Sequence, residues 1–230
     1  MKRYNFIDDE SSLLEESKEQ YKTVVIPDIL NDISLYLMDN NVQLSKQFSD
    51  GRINASINED ELIKIIQKKF EIHKPKSRSW YDFSIEKENE FYPVNIKITD
   101  TTHADNLNCK LGIYYVLTGL IPDFPNEIRW LSYFEKLKVN IGKNKSKDYY
   151  FLVFNKQKPT DIFFNTLRGL NELQPNGNNL PFQCKWDSNK KPINRSYINV
   201  VKFVLTYFGE SIKLRSEIYF NFKKYFPEYV

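Results

Sequence analysis

Apolar and polar positions follow two different periods along the chain, and the switch between them marks the elements. Residues 27–48 carry Ile29, Ile33, Leu35, Leu37, Val42 and Leu44 at helical spacing, interrupted near Asn40-Asn41, which predicts a helical hairpin. A polar helix is expected before it over 10–22, and Ser49-Asp50-Gly51-Arg52 reads as a turn. Leu62, Ile65, Ile66 and Phe70 predict a helix over 58–71, with Asn58 and Glu61, or Ser56 and Glu59, spaced as a capping box. From residue 79 the period drops to two. Tyr81, Phe83 and Ile85 alternate with Trp80, Asp82 and Ser84; after the turn at Lys87–Glu90, Val94, Ile96 and Ile98 alternate with Asn95, Lys97 and Thr99. Two adjacent strands of a hairpin or meander follow, because side chains alternate between the faces of a strand.

Further on, helices are expected over 104–118 and 126–138, the second carrying Ile128, Leu131, Phe134 and Leu137. The run Tyr149-Tyr-Phe-Leu-Val-Phe has strand length and no polar face, as in a strand buried on both sides. A short helix over 160–172, an irregular Asn-, Gln- and Pro-rich loop over 174–195, and two closing helices over 196–225 around Gly209 complete the expectation. This order predicts one α/β domain with a mixed sheet flanked by helices. Its expected parts are an N-terminal helical part (1–50), a core (51–155), and loops with closing helices (156–230).

Composition narrows the chemistry. A chain of 230 residues that is 41% hydrophobic and 15% aromatic can build a core, which excludes wholesale disorder. No apolar run reaches the ~20 residues of a membrane helix. The opening residues lack an apolar signal core, so a cytoplasmic location away from membranes is expected. Two cysteines, Cys109 and Cys184, are too few for a disulfide scaffold or zinc knuckle. Two histidines, His73 and His103, argue against His-rich metal sites, so any metal is expected on oxygen ligands, which suits magnesium. The net charge of +3 is modest, so a nucleic-acid partner would be engaged through local patches. Lys68, Lys69, Lys74, Lys76 and Arg78 form one such cluster, Lys143, Lys145 and Lys147 another, and Lys185, Lys190, Lys191 and Arg195 a third. Each also fits an ordinary solvated face.

The sharpest chemical feature lies in the meander. Asp82 sits on one strand, and Asn95 and Lys97 share a face of the next. A carboxylate can hold a divalent cation, the backbone carbonyl of Ile96 can add a ligand, and a lysine beside them can orient water and stabilise charge on a phosphate. That is the requirement of metal-assisted phosphodiester hydrolysis. By spacing alone, the same residues also fit the solvated face of a hairpin. Gly112-Ile-Tyr-Tyr-Val shares letters with the GIY-YIG nucleases, but there the two halves lie apart on separate strands, and here the string fits a packing helix.

Tyr81-Asp82 followed by Asn95-Ile96-Lys97 resembles the motif of the PD-(D/E)xK nuclease superfamily. The helix before it and the helix after it match that superfamily's restriction-endonuclease-like αβββαβ core. Pro93-Val-Asn-Ile-Lys-Ile-Thr, Ala104–Tyr115 and Asn171–Gln183 look like type II restriction endonucleases; length and motif placement are similar to the EcoRV-like branch and to ScaI-type enzymes. The resemblance covers roughly residues 50–210 and implies Mg²⁺-dependent, sequence-specific cleavage of double-stranded DNA to 5′-phosphate ends. It also implies a homodimer and a cognate DNA methyltransferase as genetic partner.

Within it, Asp82 would bind Mg²⁺, Asn95, the Ile96 carbonyl and Glu61 would complete the metal site, and Lys97 would position the water. Tyr81 replaces the usual proline and Asn95 the usual acid. An amide oxygen carries no charge, so a substitute carboxylate is needed: Glu61 first, Glu59 and Glu86 behind it, and Asp105 a poor fit. Glu61 equally fits a helix cap. Arg168, Asn171, Gln174, Asn176, Asn178, Asn179, Gln183 and Lys185 are candidates for DNA contact, since Asn and Gln pair with adenine and Arg and Lys with guanine. An ordinary surface loop fits them equally well. Two alternatives stay open: a structure-specific or repair nuclease on the same core, and a catalytically inactive DNA-binding module, motivated by Asn95.

Overall fold

The computed structural model of the chain describes residues 26–40, 42, 51–88, 90–125 and 128–230, with 51–56 described by backbone alone. The polar helix expected over 10–22, the second half of the expected hairpin and the Ser49-Asp50 part of the turn lie outside these residues. Five α-helices are present among the described residues: α1 (Asp28–Asp39), α2 (Gly51–Gln67), α3 (Lys110–Thr118), α4 (Trp130–Asn140) and α5 (Tyr197–Tyr225). None is long and apolar enough to cross a membrane.

The strands are β1 (Phe83–Lys87), β2 (Glu90–Thr99), β3 (Ala104–Asn106), β4 (Tyr150–Asn155), β5 (Ile162–Thr166) and β6 (Gln183–Lys185). Four form a mixed sheet in the order β1-β2-β4-β5, and β3 pairs with β6 apart from it. β1 and β2 are an antiparallel hairpin, β2 and β4 run parallel, and β4 and β5 are antiparallel. The chain is therefore mixed α/β, as the periodicity predicts. The hairpin turns at Glu88, whose φ of 54° lies in the left-handed region that tight hairpin turns use.

Both faces of the sheet are covered. Val94, Ile96 and Ile98 of β2 and Tyr150, Leu152 and Phe154 of β4 join Leu30, Ile33 and Leu37 of α1 and Leu62, Ile63 and Ile66 of α2 in one core. Phe151 and Val153 face the other way, onto α3, α4, the first half of α5 and the loop ending at Trp186. β4 is thus buried at every position, which is why its sequence shows no polar face. Leu62, Ile63 and Ile66 are almost wholly buried. Each contributes about 1.5–3 kcal/mol, enough to hold α2 against the sheet although its exposed side is polar.

Several boundaries differ from the sequence expectation. α2 begins at Gly51, so the expected turn there is partly helical and Asn58 lies inside the helix rather than capping it. Residues 104–109 do not open a helix: Ala104–Asn106 pair with Gln183–Lys185, and Asn108 takes a left-handed φ of 46° just before α3. Residues 162–166 are a strand, not a helix, because β4 offers them an unpaired edge and both of their faces meet apolar layers. The sheet consequently runs past the expected 51–155 core to Thr166. The αβββαβ core that the resemblance implies has a third strand before its second helix; the short β3 stands at that place in the chain but lies outside the main sheet.

The closing segment is one helix, not two. A glycine costs a helix interior about 1 kcal/mol, too little to break 29 residues anchored by Val200, Val204 and Phe208.

Candidate functional site

The β1–β2 ladder ends at Asp82. Its N–H donates to the Val94 carbonyl at 2.9 Å, and one residue pair later its carboxylate replaces the backbone as acceptor. Oδ2 receives the Ile96 N–H at 2.6 Å and the Asn95 side-chain amide at 2.8 Å. A strand residue sends its N–H and C=O to the same edge, so the Ile96 carbonyl also faces the Asp82 side. Burial raises the Asp82 pKa above the ordinary carboxylate value, opposed by the Ile96 N–H and by the Lys97 ammonium.

The second carboxylate is Glu59. It lies on the face of α2 shared by Leu62, Ile63 and Ile66, and there it comes within electrostatic reach of both Asp82 and Lys97. Burial first, then Asp82, push its pKa up to about 7, while Lys97 pulls it down. Glu61, the leading sequence candidate, leaves α2 about 200° round from Glu59 at ~100° per residue. Helix phase therefore brings Glu59 to the meander and turns Glu61 away from it. The phase was readable from Leu62 and Ile66, but the site's side of the helix was not. Glu86 is exposed near the hairpin turn, and Asp105 accepts the Trp186 indole N–H at 2.9 Å.

Lys97 points across to β3, where its Nζ donates to the Asn106 carbonyl at 2.9 Å. Asn106 is a residue that spacing did not single out. Its side-chain oxygen accepts from Asn176 at 2.7 Å, and the same Asn176 amide donates to Gln183 at 2.8 Å. The long loop thus touches the lysine's own support.

The candidate donors are all oxygen: the Asp82 carboxylate, the Ile96 carbonyl and Asn95 Oδ1 at the strand edge, with the Glu59 carboxylate in electrostatic reach. Asn95 Oδ1 is buried with no hydrogen-bond partner. Leaving a buried acceptor unsatisfied costs about 1–3 kcal/mol, which a cation would relieve. Among the described residues no group of three or more His, Cys, Asp or Glu is gathered for a metal. A cation here would lean on two carboxylates and neutral oxygens, which fits Mg²⁺, an ion that keeps several waters and needs only one or two carboxylates. The residues present therefore fit that ion.

The remaining loop candidates divide by burial. Arg168 is 8% exposed, donates to the Lys145 carbonyl at 2.8 Å and faces Asp148. Asn176 and Gln183 hold each other, and Asn176 Oδ1 also accepts the backbone N–H groups of Asn178 and Asn179. Gln174 pairs with Gln183 through the backbone. Asn171, Asn178, Asn179 and Lys185 are exposed. The loop is held internally by Asn189, which is fully buried: its Oδ1 accepts from Asn171 and Glu172, and its Nδ2 donates to Glu172 and Lys185. Among the basic clusters, Lys74 pairs with Asp60, Lys147 with Glu90, and Lys190 with Asp161 and Asp187. Cys109 and Cys184 are free and buried.

Compared with models of known protein families and with curated proteins, the sequence matches none.

Proposed function

We propose that the chain is a type II restriction endonuclease of the PD-(D/E)xK kind, cutting both strands of a short duplex DNA site with Mg²⁺ and leaving 5′-phosphate ends. The observation that carries this reading is the placement of the Asp82 carboxylate on the Ile96 N–H, with Lys97 and a second carboxylate, Glu59, in electrostatic reach.

Asp82, Glu59, Asn95 Oδ1 and the Ile96 carbonyl would hold the metal. When bound, Mg²⁺ supplies Lewis-acid polarisation of a phosphoryl oxygen and lowers the pKa of water. Asp82 and Glu59 would provide the negative charge that holds it. Lys97, held by the Asn106 carbonyl, carries the positive charge that orients an attacking water and offsets charge developing on the phosphate. Asn171, Asn178, Asn179 and Lys185 are the loop side chains exposed for contact with DNA. A symmetric site needs two such centres, hence two copies of the chain.

Asn95 also favours a second reading, a DNA-binding module without catalysis, because it leaves only two acids at the site. One digest separates them. Unmethylated plasmids covering many sequences are incubated with Mg²⁺ and wild type, Asp82→Ala, Lys97→Ala or Glu59→Gln. Discrete fragments from the wild type alone support the endonuclease. Binding without cleavage by the wild type supports the inactive module, and equal cleavage by all four proteins removes the site from the reaction.

A further inference from the structure

The buried side of α5 runs through Val200, Val204, Phe208 and Ser211, and there the body of the protein ends. The helix does not end with it. Leu214, Ile218, Phe222 and Tyr225 continue the same stripe at helical spacing for about four more turns, 41%, 58%, 46% and 69% exposed. Tyr219, Phe226 and Tyr229 flank it, also exposed.

With about 150–250 Å² for a whole aromatic side chain, these seven residues offer roughly 800 Å² of surface, what one partner contributes to a standard interface. A monomer rarely leaves so much apolar surface along one segment to water. Charge argues against a lipid surface as the occupant: Lys213, Arg215, Lys223 and Lys224 are offset in number by Glu210, Glu217 and Glu228, so the stretch carries one net positive charge. An interfacial helix needs a strongly basic polar face.

We infer that the second half of α5 is a self-association surface, on which two copies of the chain pair antiparallel about a twofold axis near Ile218. Such pairing is isologous, so Leu214 of one copy meets Phe222 of the other and Ile218 meets its own counterpart. The surface is tied to the candidate site. Arg215 donates to the Gly177 and Asn178 carbonyls at 2.7 and 2.6 Å, and Ser211 Oγ accepts the Asn176 N–H at 2.9 Å. A methyl group at Gly177 would lie 2.9 Å from the Arg215 backbone, so loop and helix are in direct contact. Pairing through α5 therefore sets the two loops in fixed relation. This rests on the symmetric-site reading for its purpose, but not for its test.

The test uses the full chain without DNA or metal. Sedimentation velocity over a wide concentration range should show a wild-type dimer. Ile218→Glu or Phe222→Glu should raise its dissociation constant by about 100-fold or more, since central aromatic and aliphatic anchors dominate such interfaces. Both positions are exposed, and unchanged circular dichroism confirms folding. Ile218→Cys should form a disulfide-linked dimer under mild oxidation, the native cysteines being buried. A wild type that stays monomeric, one that partitions onto anionic vesicles instead, or a dimer indifferent to both glutamate variants overturns the inference. None of these outcomes bears on Asp82 or Lys97, so the catalytic reading stands or falls separately.

Discussion

In Asn95→Asp, the amide that donates to Asp82 Oδ2 at 2.8 Å becomes a carboxylate at that distance. Two costs arise without metal. The lost hydrogen bond to a charged acceptor is worth about 1.5–3 kcal/mol. Two adjacent carboxylates also cannot both stay ionised, so one must take a proton, whose O–H then restores part of that hydrogen bond. Together these give a loss of about 2–4 kcal/mol, or roughly 5–12 °C in Tm for a chain of this size. Mg²⁺ acts the other way, because a third carboxylate tightens its binding and the variant then gains more from the ion than the wild type does. An ion at about 100 times the variant's Kd returns about 2.7 kcal/mol, so Mg²⁺ at a concentration that barely loads the wild type should close most of the gap. The assay is thermal unfolding of wild type and variant in EDTA and in rising Mg²⁺, with plasmid cleavage alongside. The expected result is a variant weaker in EDTA, stabilised more than wild type by Mg²⁺, and at least as active. Equal Tm values in EDTA would refute the Asn95–Asp82 contact. A variant that Mg²⁺ stabilises no more than wild type would refute the metal site.

Lys97→Ala should lower cleavage by about 10²–10³-fold, the usual loss of one charge-stabilising group, with DNA affinity nearly unchanged in a gel-shift assay; equal losses in both would make Lys97 only a DNA contact. Burial raises the Asp148 pKa to about 6 from 3.8 against the pull of Arg168. The folded state then holds this proton more tightly than the unfolded chain, so its contribution is complete below about pH 4 and is lost as pH rises through 6. Asp148→Asn should flatten that decline in denaturant melts, by on the order of 1–3 kcal/mol across the window; an unchanged slope would acquit Asp148. Gly112→Ala places a methyl 2.7 Å from the Tyr149 ring and should cost about 1–3 kcal/mol by overpacking, read as a lowered denaturation midpoint.

The elements that were legible in the sequence are those whose environment is local. β2 alternates because one face meets a core and the other carries Asn95 and Lys97. β4 is apolar throughout because both of its faces are covered. The Asp82, Asn95 and Lys97 grouping was readable for the same reason: period two and one hairpin register place them.

What sequence spacing could not decide was set by partners distant along the chain. Ile162–Thr166 has an apolar spacing that fits a helix as well as a strand, and only the free edge of β4 makes it a strand. Ala104–Asn106 is extended because Gln183–Lys185 arrives to pair with it. The choice of acid followed the same rule. Glu59 and Glu61 are equivalent as letters, but packing of Leu62 and Ile66 rotates one towards Asp82 and the other away. Arg168 and Asn176 looked free in an Asn-rich loop, and the fold occupies both with internal hydrogen bonds. The sequence by itself determined the α/β class, the β1–β2 hairpin and the residue types gathered at its Asp82 end, because periodicity is a property of neighbouring residues. The tertiary structure alone decided which acid of α2 feels the charges of Asp82 and Lys97 and which side of α5 lies bare, because both depend on surfaces that meet only once the chain has folded.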